Sequence, residues 1–363
     1  MNKSPIIIAE AGVNHNGSVE RAIAMVEAAV SAGADYIKFQ TFKAENLVTA
    51  RAAKAEYQKQ NQPDGDSQLE MLRALELSEN DFRRIAAYCR ELGIGFMSTP
   101  FDIPSADFLA TLGMDYWKIP SGEITNLPLL RHIGRFGSKV ILSTGMSTID
   151  EVKAAVDVIT TAGTERSDII LLHCTTQYPA PYPSVNLRAM NALAPLGCGS
   201  VGYSDHTRGI EVSIAAAALG ASVIEKHFTL DRNLPGPDHK ASLTPAELTQ
   251  LCSSVRHVAE ALGNGAKEVS EAERPNIAIA RKSIVAARHI AEGETFTDEN
   301  LTVKRPATGL SPMLWDSVIG RHAKHDYMPD DPITIKQLPR QDLLGRAVGL
   351  AAIRLLYYFV RGE

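Results

Sequence analysis

The 363-residue chain has only four cysteines, Cys89, Cys174, Cys198 and Cys252, with no CxxC spacing among them. Cysteines so scattered exclude a zinc ribbon and argue against a disulfide framework, so a reducing compartment is expected. An excess of basic charge is also missing: the formal net charge is -5. Without a positive field, neither nucleic acid nor an anionic membrane is an expected partner, and an anionic substrate must be held by local groups. Long apolar runs are scarce. The C-terminal GRAVGLAAIRLLYYFVRGE is interrupted by Arg346 and Arg354, well short of the roughly 20 apolar residues that span a bilayer, and reads as a docking helix. The N-terminal MNKSPIIIAEAG passes straight into a strand with no secretory signal, which predicts a cytoplasmic protein. A Walker-type phosphate loop and a GxGxxG after a strand are both lacking, so nothing favours a nucleotide-binding fold.

What is present is a rhythm. Apolar strand-like runs, IIIAEAG, YIKFQ, GFMSTPF, YWKIPSGE, KVILSTG, IILLHCT, VGYSDH and SVIEKHF, alternate with amphipathic stretches such as VERAIAMVEAAVSAG and TIDEVKAAVDVITTAG, several ending in glycine. Eight such runs predict an α/β fold, a (β/α)8 TIM barrel over residues 1–265, with an open doubly wound sheet as the competing arrangement. A polar loop from Phe42 to about Leu77 is long enough to cover the barrel mouth. After Gly263 the rhythm stops. Residues 266–282 read as a polar linker, 283–338 as a small β-rich module, and 339–363 as a tail of unknown role.

The chemistry gathers at strand ends. VGYSDH and SVIEKHF, joined by an alanine-rich helical stretch, form a βαβ unit that delivers His206 and His227 to one mouth, where two imidazoles can hold a metal; ordinary core histidines are the alternative. Other runs end in Glu10, Lys38 and Gln40, Thr99, Lys118 with Ser121 and Glu123, Ser143, Thr176, Ser204 and Glu225. Two lysines near a barrel axis need anionic partners, because an unpaired buried charge is heavily penalised. An anionic ligand would serve, and so would pairing with Glu10, Glu123 and Glu225. Cys174, beside His173 inside a strand, reads as an ordinary buried cysteine rather than a nucleophile.

Taken in order, IIIAEAGVNHNG, IKFQTFKAENL, MSTPFD, WKIPSGEITNLP, LSTGM, HCTTQYPAPYPSVNL, GYSDHT, EKHFTLD and GPDHKAS resemble the sialic acid synthase family, and KRPATGLSPMLWDSVIG resembles its C-terminal antifreeze-like (SAF) domain. The resemblance implies a metal-dependent condensation of phosphoenolpyruvate with an N-acylated mannosamine-type sugar, giving a nine-carbon 2-keto acid and phosphate. It implies that His206 and His227 bind the divalent metal, with Mn the first choice ahead of Mg, Co and Zn. Lys38, Thr99, Lys118, Ser121, Ser143 and Ser204 match phosphoenolpyruvate positions, and Glu10, Gln40, Tyr178 and Asp238 match sugar positions. Glu10, Glu123 and Glu225 are the candidates for proton relay. The family forms a domain-swapped homodimer, which implies that Arg305 of the second module reaches the sugar of the other subunit. Thr176 stands where one branch has asparagine.

Two other readings compete: a related 3-deoxy sugar acid synthase or barrel aldolase, and a silent sugar-binding protein. The acceptor is N-acetylmannosamine or 2,4-diacetamido-2,4,6-trideoxymannose, and GYSDHTRGIEVSIAAAALG and KIPSGEITN look more like the branch that makes legionaminate.

Overall fold

The computed structural model describes residues 4–54 and 67–335; the tail at 339–363, with its expected docking helix, and the last residues of the β-rich module lie outside them. The chain divides into two units between Gly265 and Ala266.

In the first unit eight parallel strands stand in the order β3-β2-β1-β8-β7-β6-β5-β4. They are β1 Ile6–Gly12, β2 Tyr36–Thr41, β3 Gly95–Pro100, β4 Trp117–Ile119, β5 Val140–Ser143, β6 Ile169–Cys174, β7 Ser200–Asp205 and β8 Val223–His227. β3 and β4 lie against each other and complete the ring. Each strand corresponds to one of the eight runs in the sequence, and the result is a TIM-like barrel. Local signals fix the helices: Ser18 caps Val19–Ala32 and Gly33 ends it at φ 82°, while Thr148 and Glu151 form a capping box on Ile149–Ala162.

Alternation along the strands sorts the side chains. Ile7, Ala9, Ile37, Phe39, Trp117, Ile119, Val140, Leu142, Ile169 and Leu171 belong to the large apolar cluster that includes residues of the outer helices. The complementary parity points inward, where Ile8, Met97, Ile141, Leu172 and Val223 form a separate apolar plug. One step further toward the strand C-termini the same parity carries Glu10, Thr99, Ser143, Cys174 and Glu225. A period of two therefore places charge directly above the plug, at the end of the barrel where active sites of this fold lie.

In the second unit β9 Ser283–Ala286 and β10 Leu301–Lys304 pair antiparallel over a core of Ile284, Ile290, Phe296, Leu301, Val318, Tyr327 and Ile333. The stretch read as a polar linker, 266–282, contains a helix, Arg274–Ala280. Pro275 sits in its first turn, where a missing N–H is tolerated, and ahead of it the Ser270 hydroxyl donates to the Glu273 carboxylate and accepts from the Glu273 backbone N–H. Polar composition hid these local signals. Among the described residues, no helix is long and apolar enough to cross a membrane.

Candidate active site

A cavity of about 470 Å³ opens above the plug, within the usual span of small-molecule sites. Of the residues expected to serve the site, Glu10, Lys38, Gln40, Thr99, Lys118, Ser121, Ser143, Thr176, Tyr178, Ser204, His206, Glu225, His227 and Asp238 all line it. Glu123 does not: it stands in the turn Ser121–Glu123 and its carboxylate accepts from Asn126 Nδ2 at 2.6 Å. Arg305 belongs to the second unit, where it is exposed.

The two lysines find carboxylate partners. Lys38 Nζ is 2.7 Å from Glu10 and 3.8 Å from Glu225, and Lys118 Nζ is 3.6 Å from Glu225. Hydroxyls complete the set, Thr99 Oγ1 at 3.1 Å from Lys38 and Ser143 Oγ at 2.8 Å from Lys118. The two lysines differ, however. Burial lowers the Lys38 ammonium, yet Glu10 and Glu225 outweigh it and hold the pKa above the ordinary value. Burial also lowers Lys118, and there the attraction of Glu225 does not compensate. Lys118 is thus the cation that an incoming anion would stabilise most.

The carboxylates are split in the same way. Burial pushes Glu10 up to about 7 despite Lys38. Burial also pushes Glu225 up, but Lys118 and Lys38 outweigh it and hold the carboxyl at about 2. Two neighbouring acids with pKa values driven apart are the usual basis of divided acid–base roles. Of the two, Glu225 is held ionised by the lysines, and Glu10 is the more readily protonated. Across the mouth, burial raises Asp238 to about 6.

Tyr178 packs against both histidines, its ring centroid 4.3 Å from His206 and 5.6 Å from His227. His206 Nδ1 lies 2.7 Å from the Thr175 carbonyl oxygen. A carbonyl only accepts, so Nδ1 carries the proton and Nε2 keeps its lone pair. His227 Nδ1 is buried with no hydrogen-bond partner. Burial drives both imidazoles down, His206 to about 4 and His227 well below its ordinary value, so both are neutral at pH 7. Their ring centroids are 5.6 Å apart. Two neutral rings this close, one with a buried nitrogen that has no hydrogen-bond partner, are the donor type a divalent cation takes. Among the described residues no group of three or more His, Cys, Asp or Glu is placed to hold a metal.

Close approach decides two glycines here. At Gly145 a Cβ would sit 2.4 Å from Thr176 Oγ1 and 2.9 Å from Ser121 Oγ, and the Gly145 N–H donates to Ser121 Oγ at 2.9 Å. At Gly12, with φ +52°, a Cβ would meet Glu10 and Gln40 at 3.3 and 3.4 Å. Thr176 Oγ1 is buried without a partner and remains a free donor at the cavity wall.

Sequence reading missed several lining residues. Met71, Leu72 and Leu75 come from the helix Gln68–Arg73 and its exit, so the described part of the long polar loop does reach the mouth; residues 55–66 of it lie outside the described residues. The apolar i, i+1, i+4 spacing of these three was the available signal. Cys174 also lines the cavity, its Sγ 3.2 Å from Ser121 Oγ. Asn14 went unnoticed as well: its Nδ2 donates to the Phe228 carbonyl at 2.9 Å and to Ser242 Oγ at 3.0 Å, tying the loop after β1 to the segment that carries Asp238.

The NeuB family matches residues 25–267 and the SAF domain matches residues 281–339. The chain is 50% identical over 331 residues to the N,N'-diacetyllegionaminic acid synthase of Campylobacter jejuni, covering 91% of this chain and 99% of that protein. It is 49% identical over 316 residues to the enzyme of the same name from Legionella pneumophila, covering 86% and 89%. The crystal structure of N-acetylneuraminic acid (sialic acid) synthetase from Leptospira borgpetersenii superposes with a TM-score of 0.68 at 33% identity, covering 76% of this chain and 91% of that one.

Proposed function

The chain belongs to the NeuB family, and from that premise we propose that it joins phosphoenolpyruvate to 2,4-diacetamido-2,4,6-trideoxymannose, forming N,N'-diacetyllegionaminate and phosphate. It is a synthase of the sialic acid type, a class that forms a carbon–carbon bond between phosphoenolpyruvate and an N-acyl amino sugar. The choice of acceptor rests on the similarity near 50% to two legionaminic acid synthases, against 33% to the N-acetylneuraminate enzyme. The observation that carries the site assignment is one cavity with Lys118, Lys38 and their hydroxyls on one wall and two neutral imidazoles on another.

Lys118, Lys38, Thr99, Ser121, Ser143 and Ser204 bind the phosphate and carboxylate by charge-assisted hydrogen bonds. Gln40, Tyr178 and Asp238 hold the sugar with its aldehyde toward the histidines. His206 and His227 would hold a divalent cation, Mn in first place, which would supply Lewis acidity toward that aldehyde oxygen. The C3 of the enol phosphate bonds to the aldehyde carbon, leaving positive charge at C2. Water adds to C2, and the adduct collapses by C–O cleavage to the ketone and phosphate, with the charge of the leaving group met by lysines already in place. Glu10, poised near neutrality, takes up and returns the proton. Charge balance agrees: Glu10 and Glu225 already offset the two lysines, so a multiply charged anion gains from a further cation. We also propose a swapped homodimer in the cytoplasm, in which Arg305 completes the partner's site; it forms no salt bridge among the described residues.

Phosphate release measured side by side with the two sugars tests the acceptor. The diacetamido sugar should give the higher kcat/KM by at least about 10-fold, since a site built for one polar substituent rejects an analogue without it. A higher value for N-acetylmannosamine would move the chain to the N-acetylneuraminate branch, and release that depended on neither sugar would remove the synthase assignment.

Lys118→Met keeps side-chain length and removes the under-compensated charge. It should lower kcat/KM for phosphoenolpyruvate by about 30-fold or more, roughly 2 kcal/mol, with a much smaller change in the KM of the sugar. Normal phosphoenolpyruvate kinetics would make Lys118 a structural partner of Glu225.

A further inference from the structure

Behind the two histidines, on the outer face of the barrel, lies a second buried ion pair, apart from the residues that line the cavity above the plug. Asp205 and Lys226 are 1% exposed, and Thr207 and Ser213 are fully buried. Lys226 Nζ is 2.9 Å from Asp205 Oδ2 and donates to the Thr207 carbonyl at 2.6 Å. Asp205 Oδ1 accepts from the Thr207 N–H and from its hydroxyl, each at 2.8 Å, and Oδ2 accepts from Ser213 Oγ at 2.6 Å. Every polar group of Thr207 is thereby tied to the pair. From the other side, His206 is held through its carbonyl by Ala180 N at 2.8 Å and through Nδ1 by Thr175.

Register makes this arrangement specific. In the parallel ladder Ser204 is opposite Glu225 and Asp205 is opposite Lys226, so the next step brings His206 level with His227. Side chains alternate between faces, so the ion pair faces outward one residue before each inward histidine. A slip between β7 and β8 would separate the charges in an apolar wall, a far larger penalty than a slip of aliphatic neighbours. Such a pair adds little net stability, because two well-packed apolar residues serve as well or better. What it adds is definition of place.

We propose that Asp205 and Lys226 are positioning residues that fix the separation of His206 and His227 and so set the affinity for the divalent cation. The inference rests on the reading of the two histidines as its ligands. The test is Mn2+ titrated into the full-length, chelator-stripped enzyme, with free ion followed by electron paramagnetic resonance and stability by thermal unfolding. Asp205→Leu with Lys226→Met removes both charges together. Because the double variant also leaves buried Thr207 and Ser213 groups without partners, its Tm should fall; while folded it should bind Mn2+ about 10- to 100-fold more weakly, the scale seen when the outer support of a metal ligand is lost, with its KM for phosphoenolpyruvate little changed. A folded double variant with wild-type Mn2+ affinity overturns the inference alone. No Mn2+ binding by the wild type would remove the cation reading and this inference with it. Should the double variant not fold, Thr207→Val decides, since it deletes one hydrogen bond and no charge. Affinity weakened by about 3-fold or more, the scale of one hydrogen bond, and restored in Thr207→Ser, supports positioning; unchanged affinity in Thr207→Val refutes it.

Discussion

Replacing His227 with alanine, or stripping divalent metal with a chelator, is expected to reduce phosphate release from phosphoenolpyruvate by at least about 1,000-fold. Lewis-acid assistance to the aldehyde is worth several kcal/mol, and roughly 4 kcal/mol corresponds to that factor. The loss should be chemical and not structural. His227 Nδ1 has no hydrogen-bond partner to lose, and the ring packs on Tyr178 and His206 at the cavity wall. An open site with two protein ligands is also not the closed kind that holds a domain together. The Tm of His227→Ala should therefore stay within a few degrees of the wild type, and Mn2+ should restore the chelated wild type but not the variant. Full turnover in a preparation shown metal-free by elemental analysis would dispose of the cation, and the histidines would then be substrate-binding groups.

Coexpression of His227→Ala with Arg305→Ala is expected to recover about a quarter of wild-type activity per subunit, although each variant alone is nearly inactive. The expectation follows from the proposed swapped homodimer. Random pairing of equal amounts gives about half heterodimers, and each of these has one site built from an intact barrel and an intact second unit. In the other site both lesions coincide. If Arg305 served its own barrel, every site in the mixture would carry one lesion and no recovery would occur. Differential tags that isolate the heterodimer make the result decisive: recovery no greater than the sum of the single variants assigns Arg305 to its own subunit or to the fold of the second unit.

The barrel was legible because its signals are local. A strand of period two and a capped helix are written in a few consecutive residues, so runs such as YIKFQ and SVIEKHF announced both their conformation and the polar groups at their ends. Within residues 266–282 the local signal is fainter. Arg274–Ala280 is a short helix inside polar composition, its start marked only by Glu273 and Pro275.

The sequence by itself determined that eight strands would each carry chemistry to one mouth, and which residue types would stand there. Only the tertiary structure decided which charges meet. Glu10 pairs tightly with Lys38, Glu225 is shared between Lys38 and Lys118, and Glu123 turns to Asn126 instead of the cavity. It also decided that Lys226, one residue from His227, faces away from the cavity to bind Asp205. The physical reason is range. Conformational preference is settled between near neighbours in the chain, whereas an ion pair or a pKa depends on distances of a few ångströms, and on burial, between strands far apart in sequence. Those distances exist only once the ring has closed and fixed the register of each strand against the next.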